Sequence, residues 1–143
     1  ADAPGAGATA SRVVEREGVE RTAFGWEVSP QGMVSLLERV HREWRPACIH
    51  LTENGSTFDD VVQPDGSIQD HQRRSYLARH IVAAREAVAR GVPLKGYFAW
   101  SLLDNFEWAE GYVRRFGLTY VDYTTQQRRL KASGQWYADF LNR

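Results

Sequence analysis

Two segments of the sequence place carboxylates where they could take part in chemistry. In the first, Glu53 follows the apolar run over residues 47–51 and precedes the turn residues Asn54 and Gly55. A carboxylate at such a position could act as a nucleophile or as a general acid or base. It could equally cap a helix or form a surface ion pair. The residues of this segment leave both interpretations open.

The second segment, residues 97–123, is rich in aromatic rings that alternate with hydrogen-bonding side chains. Flat rings can cover the apolar faces of a ligand while carboxylates and amides bond to its edge, so this mixture is typical of a sugar-binding surface. The same rings could belong to a core, and Asp104 with Asn105 could form a turn. The rings are Tyr97, Phe98, Trp100, Phe106, Trp108, Tyr112, Phe116, Tyr120 and Tyr123, and the polar residues between them are Asp104, Asn105, Glu107 and Glu110.

Both segments follow predicted strands of one βαβ unit. Apolar runs over residues 47–51 and 94–101 flank a helix predicted from about Asp70 to Gly91, which favours parallel neighbouring strands. Because both runs are almost continuously apolar, we expect each strand to be buried on both faces, in a barrel or a doubly wound sheet. Alternation along the first strand would place Glu53 on the same face as Leu51, at the edge where functional side chains of α/β barrels lie.

Further elements flank this unit and complete an α/β architecture. Ser29 and Pro30 predict a helix start, as N-cap and first helical residue, and Pro46 ends that helix. A hairpin over residues 117–129 and a helix over residues 133–141 follow the second strand. The apolar face of the first helix is predicted to be Met33, Leu36, Leu37, Val40 and Trp44, and that of the second Leu77, Ile81, Ala84 and Val88.

Composition narrows the classes of partner and location. The 143 residues carry a formal net charge of +0, with 43% hydrophobic and 25% charged residues. This balance is typical of a soluble globular segment and argues against nucleic acid or a membrane surface as a partner. The single cysteine, Cys48, favours a reducing compartment, hence the cytoplasm, and we expect it to be a buried, inert thiol. Because the four histidines form no close ligand pair, we expect no metal site.

Two motifs and their flanks resemble a known enzyme family. Residues 52–55 (TENG) and residues 96–112 (GYFAWSLLDNFEWAEGY) closely resemble the C-terminal part of glycoside hydrolase family 1, the β-glucosidases. The resemblance covers nearly all of the chain after about residue 20. The weakest matches are His50 and Leu130. At the position of Leu130, before Lys131, the family commonly has proline. The agreeing flanks are residues 25–30 (GWEVSP), 115–118 (RFGL), 121–123 (VDY) and 131–137 (KASGQWY).

The resemblance implies the C-terminal part of a (β/α)₈ TIM barrel, comprising about the last two strands with their helices and a hairpin. A complete barrel takes about 200 to 250 residues, so we expect residues 1–143 to be a fragment of one glycosidase domain, with residues 1–20 a loop or frayed segment. The family's acid/base glutamate lies in a Thr-x-Asn-Glu-Pro motif that this sequence does not contain. The implied partner is the complementary N-terminal part of the same barrel.

The resemblance also implies a reaction and a role for each site residue. The family hydrolyses terminal β-linked glucosyl or galactosyl residues with retention, needing no cofactor or metal, and Glu53 would be the nucleophile. Trp100 would lie under the sugar, Glu107 would bind hydroxyls at its far edge, and the indole N–H of Trp108 would donate to an adjacent hydroxyl. Phe116 would belong to the same wall.

Two other interpretations remain open from the sequence. The chain could be a non-catalytic carbohydrate-binding or structural fragment that keeps the aromatic surface without the acid/base residue. It could also be a cofactor-binding remnant whose exposed apolar surface captures flat ligands, although no sequence feature supports that function.

Overall fold

A computed structural model of the chain describes residues 16–142. Of the loop predicted over residues 1–20, residues 1–15 lie outside this part, and residues 16–20 contain no helix or strand. None of the described helices is long and apolar enough to cross a membrane. The elements are α1 (Pro30–Trp44), β1 (Ile49–Asn54), α2 (His71–Ala89), β2 (Leu94–Ala99), a 3₁₀ turn (Trp108–Glu110), β3 (Thr119–Val121), β4 (Arg128–Leu130) and α3 (Ala132–Leu141).

The predicted βαβ unit is confirmed, because β1 and β2 are parallel neighbours joined through α2. In the part of the chain that the structure describes, α1 and α2 pack against one face of this pair. Ile49, Leu51 and Leu94 pack against the cluster formed by α1 and α2, whereas Phe98 on β2 is 56% exposed. The expectation of burial on both strand faces is therefore wrong for this chain, since its helices contact the strands from the same side.

A register irregularity near the end of β1 changes the position of Glu53. Leu51 pairs with Tyr97 and Asn54 with Ala99, so three steps along β1 oppose two along β2. Such an extra residue breaks the simple alternation of side chains. The prediction that Glu53 shares a face with Leu51 is wrong, because Leu51 packs toward the helices while Glu53 lines a cleft at the end of the strands.

The start of α1 follows its sequence. Ser29 is the N-cap, and its hydroxyl accepts a hydrogen bond from the backbone N–H of Gly32 at 3.3 Å. Pro30 is the first helical residue, where its missing N–H costs nothing because that group would have no partner inside the helix. The predicted helix start is confirmed.

The buried helix faces differ in part from the predicted ones. Val34 and Leu37 are the buried residues of α1, whereas Leu36 is 60% exposed and Trp44 67% exposed. Residues two apart on a helix do not share a face, so contact of Val34 with the core leaves Leu36 outside. On α2 the predicted face is buried except for Val88, which is 48% exposed in the last turn.

Cys48 lies just before β1 and is exposed, so the prediction of a buried thiol is wrong. The apolar run begins in the turn after α1, and only its second part, from Ile49, enters the strand.

The C-terminal elements pack against α2 and the segment that leaves β2. Strands β3 and β4 pair antiparallel, as predicted for the hairpin, and α3 packs against α2. Just before β3, the Leu118 N–H donates to the Ser101 carbonyl at 2.7 Å, and the Thr119 N–H donates to the Leu102 carbonyl at 2.9 Å. These bonds fix the chain that leaves β2 against the hairpin, directly beside the cleft that contains Glu53.

Candidate active site

The carboxyl ends of β1 and β2 border a cleft of about 450 Å³. All five residues that the sequence analysis selected, one from β1 and four from the segment after β2, line this single cleft. Four further lining residues come from the start of the described chain, from β1 and its end, and from α2. The complete lining is Trp26, Glu53, Asn54, Gly55, Tyr76, Trp100, Glu107, Trp108 and Phe116.

Close backbone contact brings Glu53 and Trp100 together. The Trp100 N–H donates to the Asn54 carbonyl at 2.9 Å. A Cβ on Gly55 would lie 1.7 Å from the Trp100 carbonyl oxygen, so only glycine lets the two chains approach this closely. The Trp100 ring therefore lies beside the strand end that carries Glu53.

Two tyrosines fix the side chain of Asn54, next to Glu53. The Tyr97 hydroxyl donates to Asn54 Oδ1 at 2.7 Å, and Asn54 Nδ2 donates to the Tyr76 hydroxyl at 3.4 Å. Burial raises the pKa of both phenols, so both stay protonated around neutral pH. No functional role was predicted for Asn54 from the sequence. Its place directly after a strand-end carboxylate was the available indication.

A direct hydrogen bond joins two of the predicted sugar-binding residues. The indole N–H of Trp100 donates to Glu107 Oε1 at 3.1 Å, a contact that was not predicted. A carboxylate accepts several hydrogen bonds, so Glu107 can orient the Trp100 ring and still bind ligand hydroxyls. Trp108 is 85% exposed at the start of the 3₁₀ turn, which leaves its ring accessible from the cleft.

Aromatic rings form one wall of the cleft. Phe116 is 3% exposed, and its ring centroid lies 6.2 Å from that of Trp26. Trp26 also contacts Phe24, with centroids 4.6 Å apart, yet remains 55% exposed. No function was predicted for Trp26 from the sequence, although it belongs to residues 25–30, one of the segments that agree with the family.

Asp104 is buried and does not belong to the lining of the cleft. It is 4% exposed, and its carboxylate accepts from Gly117 N at 2.9 Å, Val121 N at 3.3 Å, Arg115 Nη1 at 2.7 Å and Lys131 Nζ at 2.8 Å. Four donors fully engage this carboxylate. Asp104 therefore anchors the segment that carries Glu107 and is not free to bind a ligand.

Within residues 16–142, no group of three or more His, Cys, Asp and Glu side chains could hold a metal ion. The cleft instead combines two carboxylates, Glu53 and Glu107, with several rings. Such a surface can cover a sugar, bind its hydroxyls and present a carboxylate to it.

Comparisons with known proteins agree with the resemblance of the motifs. A family model described as Glycosyl hydrolase family 1 matches residues 4–143. Beta-glucosidase A of Thermotoga maritima is 54% identical over 128 residues, which are 90% of this chain and 28% of the relative. The 6-phospho-beta-galactosidase 1 of Streptococcus pneumoniae is 42% identical over 127 residues, 86% of this chain and 27% of that protein.

A solved structure agrees with the sequence matches. The family 1 β-glucosidase from Thermotoga maritima superposes with a TM-score of 0.88 at 53% identity, over 90% of this chain and 29% of that one. The chain thus spans less than a third of the length of the relatives it matches.

Proposed function

This chain belongs to glycosyl hydrolase family 1, and from that premise we propose that it supplies the nucleophile and the glycone-binding wall of a retaining β-glycosidase. Its α/β fold is part of a (β/α)₈ TIM barrel, as predicted. The substrates proposed are terminal β-linked glucosyl or galactosyl residues. The observation that carries the proposal is the single cleft that gathers Glu53, Trp100, Glu107, Trp108 and Phe116.

The proposed reaction has two steps at Glu53. Its carboxylate attacks the anomeric carbon while the glycosidic bond breaks, and an acid from the remaining barrel protonates the leaving oxygen. Water then attacks the same carbon, gives its proton to the residue that had acted as acid, and releases Glu53. The hydrogen bonds of the Asn54 side chain with Tyr76 and Tyr97 support this role, because they hold the backbone next to the attacking group.

The other cleft residues orient the sugar in this proposal. The Trp100 ring covers its apolar C–H face, and Glu107 accepts from two adjacent hydroxyls at the far edge. The indole N–H of Trp108 donates to a neighbouring hydroxyl, and Phe116 excludes water from the wall. The remaining strands of the barrel are the proposed partner, and a cytoplasmic location, based on the lone cysteine, completes the proposal.

Replacing Glu107 with alanine tests the glycone-binding role. The change leaves sugar hydroxyls without an acceptor and frees the Trp100 ring. We therefore expect a lower kcat/KM of the assembled enzyme on an aryl β-glucoside, corresponding to a loss of about 2 to 4 kcal/mol of transition-state stabilisation. Glu110→Ala is the matched control, since Glu110 lies in the same loop and pairs with Arg114 at 3.2 Å outside the cleft lining.

Thermal melting separates recognition from folding in this experiment. The melting temperatures of both variants should lie close to that of the parent protein. An unchanged kcat/KM for Glu107→Ala would refute its role, and a loss confined to thermal stability would favour a purely structural one.

The charge of the cleft predicts a preference among substrates. The relative from Streptococcus pneumoniae is named for a phosphorylated sugar, whereas here a sugar phosphate would meet the two carboxylates Glu53 and Glu107. Like charges brought together cost several kcal/mol, so kcat/KM for an aryl 6-phospho-β-glucoside should be at least about 100-fold below that for the unphosphorylated glucoside. Steady-state kinetics on the assembled enzyme measure the ratio.

Removing the charge provides the control for this preference. Glu107→Gln should reduce the gap between the two substrates, because a neutral amide no longer repels the phosphate. Equal turnover of both substrates by the parent enzyme would contradict the prediction.

A further inference from the structure

Arg73, on α2, uses all of its N–H donors inside the protein. Nε donates to the Ser56 carbonyl at 3.2 Å, and Nη1 donates to Asp60 Oδ1 at 2.8 Å and to the Asp70 carboxylate. Nη2 donates to Asp60 Oδ2 at 3.3 Å and to the Arg115 carbonyl at 2.8 Å. A guanidinium has five N–H donors in a rigid planar fork, and each has an acceptor here. The side chain is 1% exposed.

Two of these acceptors are backbone carbonyls in two different segments that contribute residues to the candidate site. Ser56 belongs to the segment made of the last two residues of β1 and the loop that follows, which we call the β1 loop (residues 53–60). Arg115 belongs to the segment after β2 that we call the β2 loop (residues 104–116). The β1 loop carries the proposed nucleophile, and the β2 loop carries the proposed sugar-binding residues. Because one rigid group binds both carbonyls, its geometry sets the separation of the two loops.

A second hydrogen bond, between two uncharged groups, joins the same loops. The Arg115 N–H donates to Thr57 Oγ1 at 3.2 Å, and Thr57 is 2% exposed. The two links are adjacent, since Arg73 binds the carbonyl of the same Arg115 whose N–H binds Thr57.

Arg73 also belongs to a buried ionic network that reaches Asp104 in the β2 loop. Lys131 Nζ lies 2.6 Å from Asp60 and 2.8 Å from Asp104, and Arg115 lies 2.7 Å from Asp104. Burial disfavours the charge of Arg73, but Asp60 and then Asp70 outweigh it and raise its pKa. The cations Arg73, Arg115 and Lys131 balance the anions Asp60, Asp70 and Asp104.

We propose that Arg73 is a positioning residue for catalysis, which holds Glu107 and Phe116 on the β2 loop at the productive distance from Glu53 on the β1 loop. The inference rests on the proposed function. It differs from a role in folding alone, because it predicts a slower reaction at sites that are correctly folded.

The test uses Arg73→Lys in the complete enzyme that contains this chain. Lysine keeps the positive charge that Asp60 and Asp70 require, but three donors cannot replace five, so the carbonyl links are lost. Arg79→Lys is the matched control on the same helix, because Arg79 is 41% exposed and pairs with the exposed Glu20. Active sites are counted by titration with a 2-deoxy-2-fluoro glucoside, so that misfolded protein does not lower the measured kcat.

We expect kcat per titrated site of Arg73→Lys to fall about 10- to 100-fold, because a misplacement near 1 Å costs about that much. KM should change by less than about threefold, since both loops still bind the sugar. Arg79→Lys should retain kcat within about twofold, as expected for an exposed ion pair.

Each possible result either supports or overturns the proposed role of Arg73. If Arg73→Lys and Arg79→Lys have the same kcat per site, the proposal is overturned while the proposed function stands. If the parent enzyme hydrolyses no β-glycoside, both are overturned. If Arg73→Lys does not fold, the isosteric, uncharged Thr57→Val breaks the neighbouring link; a severalfold lower kcat per site supports the proposal, and an unchanged kcat overturns it.

Discussion

Replacing Glu53 with glutamine is expected to lower kcat of the assembled enzyme by several orders of magnitude. A neutral amide cannot attack the anomeric carbon to form the glycosyl-enzyme ester, whereas glutamine has almost the same size and should leave the fold unchanged. Glu53 lines the cleft beside the Trp100 ring and lies within the bulge of β1, between Leu51 and Asn54. Steady-state kinetics and a melting curve of both proteins measure the effect.

Covalent labelling identifies the nucleophile independently of the rate. A 2-deoxy-2-fluoro β-glucoside slows breakdown of the intermediate, so mass spectrometry of peptides should find the sugar attached to Glu53. Glu110→Gln should label like the parent enzyme, because Glu110 lies outside the cleft lining. A label on Glu107 or Glu110 would show that the nucleophile has been assigned to the wrong residue.

Regular elements were predictable from the sequence because local patterns determine them. The cap at Ser29 and Pro30 fixes the start of α1, and apolar runs on both sides of an amphipathic helix indicate the βαβ unit. Which helix positions become buried depends on the partners that pack there. The helical periodicity therefore failed to predict the burial of Val34 on α1 and wrongly predicted the burial of Leu36.

The sequence predicted only those residues of the site that belong to motifs resembling the family or to segments beside them. The five selected residues share one cleft, but the simple alternation argument for Glu53 failed, because a bulge between Leu51 and Asn54 is not visible in a strand-like sequence. The buried ion pairs of Arg73 and Lys131 were not predicted, for another reason. Lys131 and its partner Asp60 are 71 positions apart, and no local pattern connects such residues.

The purified 143-residue chain is expected to hydrolyse no β-glycoside by itself. A retaining site needs a second carboxyl group, about 5 Å from the nucleophile, to protonate the leaving oxygen. Among the described residues of the cleft, the second carboxylate is Glu107, which accepts from the Trp100 indole and is assigned to sugar binding. Turnover by the chain, after chromatographic removal of host glycosidases, would require an acid/base residue outside this assignment.

Packing of the chain leads to the same expectation. Phe98 is 56% exposed, Leu102 69% and Leu130 51%, and these residues line a second, apolar cleft of about 390 Å³ beside β2. In addition, within residues 16–142, β1 and β2 form a two-stranded sheet in which each strand has an unpaired edge. Exposed apolar surface and free strand edges favour aggregation, so the chain alone should melt without a cooperative transition.

Refolding this chain together with the complementary part of the barrel should restore both a cooperative melt and β-glucosidase activity. The added strands pair with the free edges, cover Phe98, Leu102 and Leu130, and supply the acid. A chain carrying Glu53→Gln distinguishes restored folding from restored activity, because it keeps every packing surface and lacks only the nucleophile. Its mixture should recover the cooperative melt without turnover. Recovery of activity by the Glu53→Gln mixture would exclude Glu53 as the nucleophile, and a failure of both mixtures to melt cooperatively would exclude the barrel as their joint fold.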